Sequence, residues 1–184
     1  MNAGIIASRY ARALLQYVQD SGGGDKVYSQ ACVIGLRMME VRQLKDFLED
    51  HGELSVERKP ELLQSSLGEE PAPELVAFVN MVASRRRMRF FSRMLYSFIA
   101  QYREANNIKV GRIIVASPVD GLKERMEALF HERTGAQIQL LEKVNPEILG
   151  GFIFEMDGYR LDASVENQFR RIRRQLIEKN NRIV

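Results

Sequence analysis

No stretch of this 184-residue chain approaches the roughly 18 consecutive apolar residues that a membrane-spanning helix needs. Its opening, MNAGIIASRYARALL, also lacks the basic, then apolar, then small-residue order of a secretory signal. Both absences predict a protein that stays in the compartment where it is made. A single cysteine, Cys32, excludes an internal disulfide. Its apolar neighbours in a helical pattern predict a buried small hydrophobe, in keeping with a reducing cytoplasm. Histidine is nearly as scarce: His51 and His131 each stand beside an acidic residue, as solvated surface histidines do, and no Cys or His cluster has metal-ligand spacing.

The glycines supply no nucleotide loop. Gly22 to Gly24 are not followed by the Lys-Ser/Thr pair of a phosphate-binding loop and read as a flexible turn, while Gly150-Gly151 precede a strand instead of opening a helix. No serine sits in a nucleophile elbow. Asp157 and Asp162 bracket Gly158-Tyr159-Arg160, but Asp157-Gly158 is a hairpin turn signal, and Asp162 stands where its carboxylate caps a following helix. These residues predict no catalytic group, no metal and no cofactor.

What is present is ordinary globular material, 45% hydrophobic and 28% charged. The net charge of +3 hides an asymmetry: residues 1–84 carry 8 basic and 12 acidic side chains, net −4, and residues 85–184 carry 19 and 12, net +7. The excess lies in Arg85, Arg86, Arg87, Arg89 and Arg93, and again in Arg170, Arg171, Arg173 and Arg174.

Periodicity assigns the elements. Ile6, Tyr10, Leu14, Tyr17 and Val18 form one stripe of an amphipathic helix that stops at Gly22 to Gly24. Helical patterns follow from about Lys26 to Met39, from Leu44 to Leu48, and after Ser55 with Pro60 in the first turns. Beyond Pro71 and Pro73 comes a fifth (Leu75, Phe78, Val79, Val82). The sixth is long and carries Met88, Phe91, Leu95, Phe98 and Tyr102 on one face. Six short amphipathic segments bury their stripes only against one another, which predicts a six-helix bundle over residues 1–106.

Residues 107–184 change to β-branched runs at Arg112 to Ala116, Ile138 to Leu141 and Phe152 to Met156. A helix between the first two carries Leu122, Met126, Leu129 and Phe130, opened by Ser117-Pro118 and closed by Gly135. A last helix, with Val165, Phe169, Ile172 and Leu176 inward, is expected to cover the sheet. The fold class is mainly α: a helical bundle followed by a small α/β domain of order strand, helix, strand, strand, helix.

The arginine clusters admit three readings: nucleic-acid binding; a membrane-surface helix, beside the commoner solvated helix face that meets acidic partners; and a docking surface. The interleaved exposed aromatics of a nucleic-acid site are not expected, because Phe90, Phe91 and Phe169 fit inward positions.

Three stretches together resemble one family, the delta subunit of the bacterial F-type ATP synthase, counterpart of the mitochondrial oligomycin-sensitivity-conferring subunit. Ala7-Ser8-Arg9-Tyr10-Ala11-Arg12-Ala13-Leu14 resembles its opening helix. Phe78 through Arg87 to Phe98 resembles its fifth and sixth helices. Val144, Pro146, Ile148, Gly150, Gly151, Phe152, Ile153, then Asp157-Gly158, then Asp162-Ala163-Ser164-Val165 resemble its C-terminal signature. The resemblance spans residue 7 to about residue 180.

It implies a non-catalytic stator protein of the proton-translocating synthase, peripheral at the cytoplasmic face of a bacterial membrane and bound there through the complex. The helical domain would bind the N-terminal helix of an alpha subunit on the catalytic head, and the C-terminal domain the b subunit of the peripheral stalk. Carried over by position, Tyr10, Ala13 and Met81 line the alpha-helix groove with Phe78 close by; plain core packing stands beside that role for Phe78 and Tyr10. Gly150, Gly151, Asp162 and Ser164 form the structural signature. From their charge alone, and not from the resemblance, Arg170, Arg171, Arg173 and Arg174 are expected to meet an acidic stretch of the stalk. No small-molecule substrate and no nucleic acid are implied. An organellar origin would add a transit peptide, which is not visible. The Arg85-Arg86-Arg87 run is more basic than the Glu-Asn type of sequence expected there, and Gly22 to Gly24 make the first loop unusually glycine-rich. A basic RNA-binding or ribosome-associated protein is the competing reading.

Overall fold

The structure, a computed structural model, describes residues 3–49 and 58–180. The chain folds as two units, Met1–Ala105 and Asn106–Val184. His51 and Ser55 lie outside the described residues.

The first unit carries α1 (Ala3–Ser21), α2 (Gly24–Glu40), α3 (Arg42–Glu49), α4 (Arg58–Leu67), α5 (Pro73–Ser84), a 3-10 turn (Met88–Phe90) and α6 (Phe91–Ala105). Helix α6 packs against α1, α2 and α3 and is the hub of the unit. Its Phe91, Met94, Leu95, Phe98, Ile99 and Tyr102 are buried. Each such side chain contributes about 1.5–3 kcal/mol relative to exposure. Tyr102 stacks on Tyr28 at 4.8 Å and its hydroxyl donates to Asp25 at 2.8 Å, which ties α6 to α2. Burial, and then that hydrogen bond, push the Tyr102 phenol up to about 12. Gln30 holds the connection before α5: its amide nitrogen donates to the Glu69 carboxylate at 2.7 Å and the Glu70 carbonyl at 3.0 Å, and its oxygen accepts from the Ala72 N–H at 2.7 Å. A buried amide satisfied on both sides fixes that loop without leaving a polar group orphaned.

Some details differ from the sequence reading. Met88 belongs to the 3-10 turn, and the long helix starts at Phe91. The buried stripe of α1 is Ala7, Ala11, Leu14 and Val18. Ile6 and Tyr10 are partly buried beside it, and Tyr17 is 48% exposed. Gly24 opens α2 and is no flexible linker, since a Cβ there would meet the Tyr102 hydroxyl at 2.9 Å. Cys32 is partly buried beside Arg103, not fully enclosed.

The second unit is a four-stranded sheet with two helices: β1 (Ile108–Val115), α7 (Leu122–Thr134), β2 (Gln137–Val144), a 3-10 turn (Pro146–Ile148), β3 (Phe152–Met156), β4 (Tyr159–Asp162) and α8 (Val165–Asn180). The strand order is β2-β1-β3-β4. β1 and β2 are parallel, joined by the α7 crossover, and β1, β3 and β4 pair antiparallel. The sequence pattern does not announce the fourth strand, although it announces the turn before it: Asp157 (φ 49) and Gly158 (φ 82) both adopt the positive φ of a two-residue hairpin turn. A strand of four residues, Tyr159–Asp162, is too short for alternation to show.

Helix α7 covers the sheet. Leu122, Met126 and Phe130 pack on Ile113, Val115, Ile138, Leu140 and Phe154, with Phe130 and Phe154 stacked at 4.5 Å. α7 begins at Leu122, not at Ser117-Pro118, because a turn closed by the Leu122 N–H on the Val119 carbonyl (3.2 Å) places Gly121 at φ 70. A left-handed residue cannot lie inside a right-handed helix. Gly135 ends α7 at φ 66, as expected.

Candidate functional site

In the first unit, α1 and α5 flank an apolar slot of about 250 Å3 lined by Ala13, Leu14, Tyr17, Ala77, Phe78 and Met81. On α1, Ala13 and Tyr17 are four residues apart and share a face beside the buried Leu14. On α5, Ala77 and Met81 repeat that step beside Phe78. Phe78 is 3% exposed and also tilts against Phe91 at 6.4 Å, so it is core and slot wall at once. Met81 is 41% exposed, an adaptable apolar side chain at the mouth. Two alanines keep the walls low enough for a helix backbone to approach. The volume falls below the roughly 300–1,000 Å3 typical of small-molecule sites.

Three of the four groove residues expected from sequence, Ala13, Phe78 and Met81, meet in this slot. Tyr10 does not line it. One turn further along α1, its hydroxyl accepts from Arg87 Nη1 at 3.0 Å, and the guanidinium lies 5.4 Å from the ring centre. Tyr17, Leu14 and Ala77 are slot residues that the sequence reading misses. A wheel of α1 carries the signal for Tyr17, a large apolar side chain off the buried stripe.

In the second unit, Gly150, Gly151, Asp162 and Ser164 form one joint. Gly151 has φ 71, and a Cβ there would stand 2.3 Å from the Ala163 carbonyl oxygen; at Gly150 it would meet Val165 at 3.0 Å. That close approach lets the Val165 N–H donate to the Gly150 carbonyl and the Ala163 N–H to the Phe152 carbonyl, each at 3.0 Å. Ser164, and not Asp162, caps α8: its Oγ accepts from the Asn167 N–H at 3.2 Å. Asp162 orients that cap, accepting from the Ser164 N–H at 3.1 Å and its hydroxyl at 2.6 Å. The Ser164 hydroxyl bond, above all, holds the Asp162 carboxyl below the usual carboxylate range. The signature thus clamps the loop before β3 to the first turn of α8.

Beyond that turn α8 departs from expectation. Val165 is partly buried, but Phe169, Ile172 and Leu176 are 61%, 52% and 59% exposed, and Ile177 joins them. α7 already occupies the sheet face, and the joint holds only the start of α8. Arg170 pairs with Glu166 on the same helix, while Arg171, Arg173 and Arg174 enter no ion pair among the described residues. The outward Phe169 contradicts the inward position expected of it, whereas Phe91 is buried as expected and Phe90 is partly buried.

Among the described residues no three His, Cys, Asp or Glu side chains are placed to hold a metal ion. His131 is exposed, with Nδ1 2.8 Å from the Ala136 carbonyl. No helix among the described residues is long and apolar enough to cross a membrane. An apolar slot between two helices and an uncovered apolar helix flanked by arginines are surfaces of a protein that assembles with other proteins.

Comparison with known proteins specifies the assembly. Residues 6–176 match the family described as ATP synthase delta (OSCP) subunit. The chain is 39% identical to ATP synthase subunit delta of Phocaeicola vulgatus and 33% identical to that of Bacteroides fragilis, each over the full length of both chains. It shares its fold, at a TM-score of 0.59 and 19% identity, with a chain of the Toxoplasma gondii mitochondrial ATP synthase hexamer, covering 93% of this chain and 97% of that one. The chain belongs to the ATP synthase delta (OSCP) subunit family.

Proposed function

We propose that this chain is the non-catalytic stator link of an F-type ATP synthase: its helical unit grips the N-terminal helix of an alpha subunit on the catalytic head, and its C-terminal unit grips the b subunit of the peripheral stalk. Torque from the rotor is then resisted and used for ATP synthesis. The protein works at the cytoplasmic face of a bacterial membrane, held there through its partners, and takes no cofactor. Family membership supports this reading over an RNA-binding one.

The observation that carries the proposal is the slot between α1 and α5. Its low alanines, apolar walls and adaptable Met81 suit the i, i+3/i+4, i+7 anchors of an amphipathic helix. A link under load needs slow dissociation, which buried aliphatic and aromatic anchors provide better than exposed ion pairs do. On α8, the stripe of Phe169, Ile172 and Leu176 supplies the same kind of anchor for the stalk, with Arg170, Arg171, Arg173 and Arg174 around it to orient an acidic partner.

Calorimetric titration with a synthetic peptide of the alpha-subunit N-terminus tests the slot. One-to-one binding with a negative heat-capacity change is expected, and it should vanish in Ala13→Trp, whose exposed position lets the fold persist while the indole fills the slot. Binding indifferent to Ala13→Trp, or no binding by folded protein, would remove the slot from the mechanism.

A further inference from the structure

The arginine run after α5 stands at one end of the slot, and we infer that it reads charge on the partner: the helix that occupies the slot carries Asp or Glu within about two turns of its apolar anchors, at the end lying against Arg85, Arg86 and Arg87. This rests on the reading that the slot takes a partner helix.

Ala77, Met81 and Arg85 follow one another on α5 in steps of four, and all three are exposed. The Arg85 N–H still donates to the Met81 carbonyl at 3.2 Å, so Arg85 continues the line of slot residues by one turn. On the opposite wall the next turn beyond Ala13 is Tyr10, and Arg87 is fixed against its ring and hydroxyl. The slot therefore passes from apolar to cationic within one helical turn, on both walls.

The backbone holds the cations in place. The Arg86 N–H donates to the Ala83 carbonyl at 2.9 Å and the Arg87 N–H to the Val82 carbonyl at 3.0 Å, the paired bonds of a Schellman helix end. Arg86 occupies the left-handed position of that motif at φ 53, where glycine is the residue without steric penalty. The helix end would close at least as well with glycine, so the side chain at this position is not there for the fold. Among the described residues neither Arg85 nor Arg86 enters an ion pair. Attraction to the last carbonyls of α5 accounts for one basic residue near a helix end, but not for one placed in a conformation that opposes it. A carboxylate on the incoming helix satisfies this cluster, sets which end of that helix lies at Tyr10, and speeds encounter through long-range attraction.

The test titrates the full chain with the synthetic alpha-subunit N-terminal peptide of the same organism, and with a version whose Asp and Glu residues beside the anchors are changed to Lys. Arg85→Glu with Arg86→Glu is expected to weaken binding by tenfold or more, mainly through slower association, and the Lys peptide is expected to restore it. Arg86→Gly, expected to melt no lower than the parent chain, should weaken binding and flatten its salt dependence, which separates charge from folding. If Ala13→Trp abolishes binding while the charge reversals leave affinity and salt dependence unchanged, the slot stands and this inference falls. Indifference to Ala13→Trp as well would take the slot reading down with it. An alpha-subunit N-terminal segment without a carboxylate near its apolar anchors would also overturn the inference.

Discussion

In α6, Phe91, Leu95, Phe98 and Tyr102 follow one another in steps of four, three and four, and all are buried. In α8, Val165, Phe169, Ile172 and Leu176 follow in the same steps, and the last three are more than half exposed. One pattern thus has opposite fates in the two units. Periodicity states that a helix has a face to cover; it does not state whether the cover comes from the same chain. Around α6, helices α1, α2 and α3 supply it, with Phe78 of α5 against Phe91. In the second unit the sheet face is taken by α7, and α8 is tied down only at its first turn.

The strongest way to break this comparison is to remove the same side chain from both helices. Phe98→Ala empties a fully buried site and should cost about 3–5 kcal/mol. Phe169→Ala should change the stability of the free protein by less than about 0.5 kcal/mol. Urea unfolding of both variants checks the pair, and a large loss for Phe169→Ala would show that α8 is covered in solution.

Next in size is Gly151→Ala. Its positive φ and the approach to the Ala163 carbonyl make a loss of about 2 kcal/mol or more, felt in the second unit. Amide exchange should speed up in β3 and the start of α8 and stay unchanged in α6.

The units should also part company with pH. Asp162 is held below its ordinary value, so ionisation favours the folded joint. That contribution is complete above about pH 4 and is lost as pH falls through the lowered value. Tyr102 is raised to about 12, so its neutral form favours the fold; that contribution is complete below about pH 10 and is lost as pH rises toward 12. Stability differences between parent and Asp162→Asn should shrink in acid, and those between parent and Tyr102→Phe should change only in alkali. An effect of opposite sign is a gain of about 1 kcal/mol for Arg86→Gly, read as a higher unfolding midpoint.

Much of this molecule is legible residue by residue. The helix stripes, the Pro73 start of α5, the Gly135 end of α7 and the Asp157-Gly158 turn all depend on local sterics and hydrogen bonding, which act over a few residues and so leave a local trace. The slot leaves no trace in periodicity; the family resemblance names Ala13, Phe78 and Met81 for a groove, and these three border the slot. Tyr10 pairs with Arg87, 77 positions away, and no periodicity reports a pairing across that distance.

By itself, then, the order of residues determined the helical segments, three of the four strands and the Asp157-Gly158 turn before the fourth, since these follow from backbone geometry and side-chain chemistry within a turn or two. Only the tertiary structure decided that Ala13 and Met81 border one slot, that Ser164 and not Asp162 caps α8, and that the apolar face of α8 is left open. Those outcomes depend on which elements compete for the same surface, and that competition is settled by packing among residues far apart in the chain.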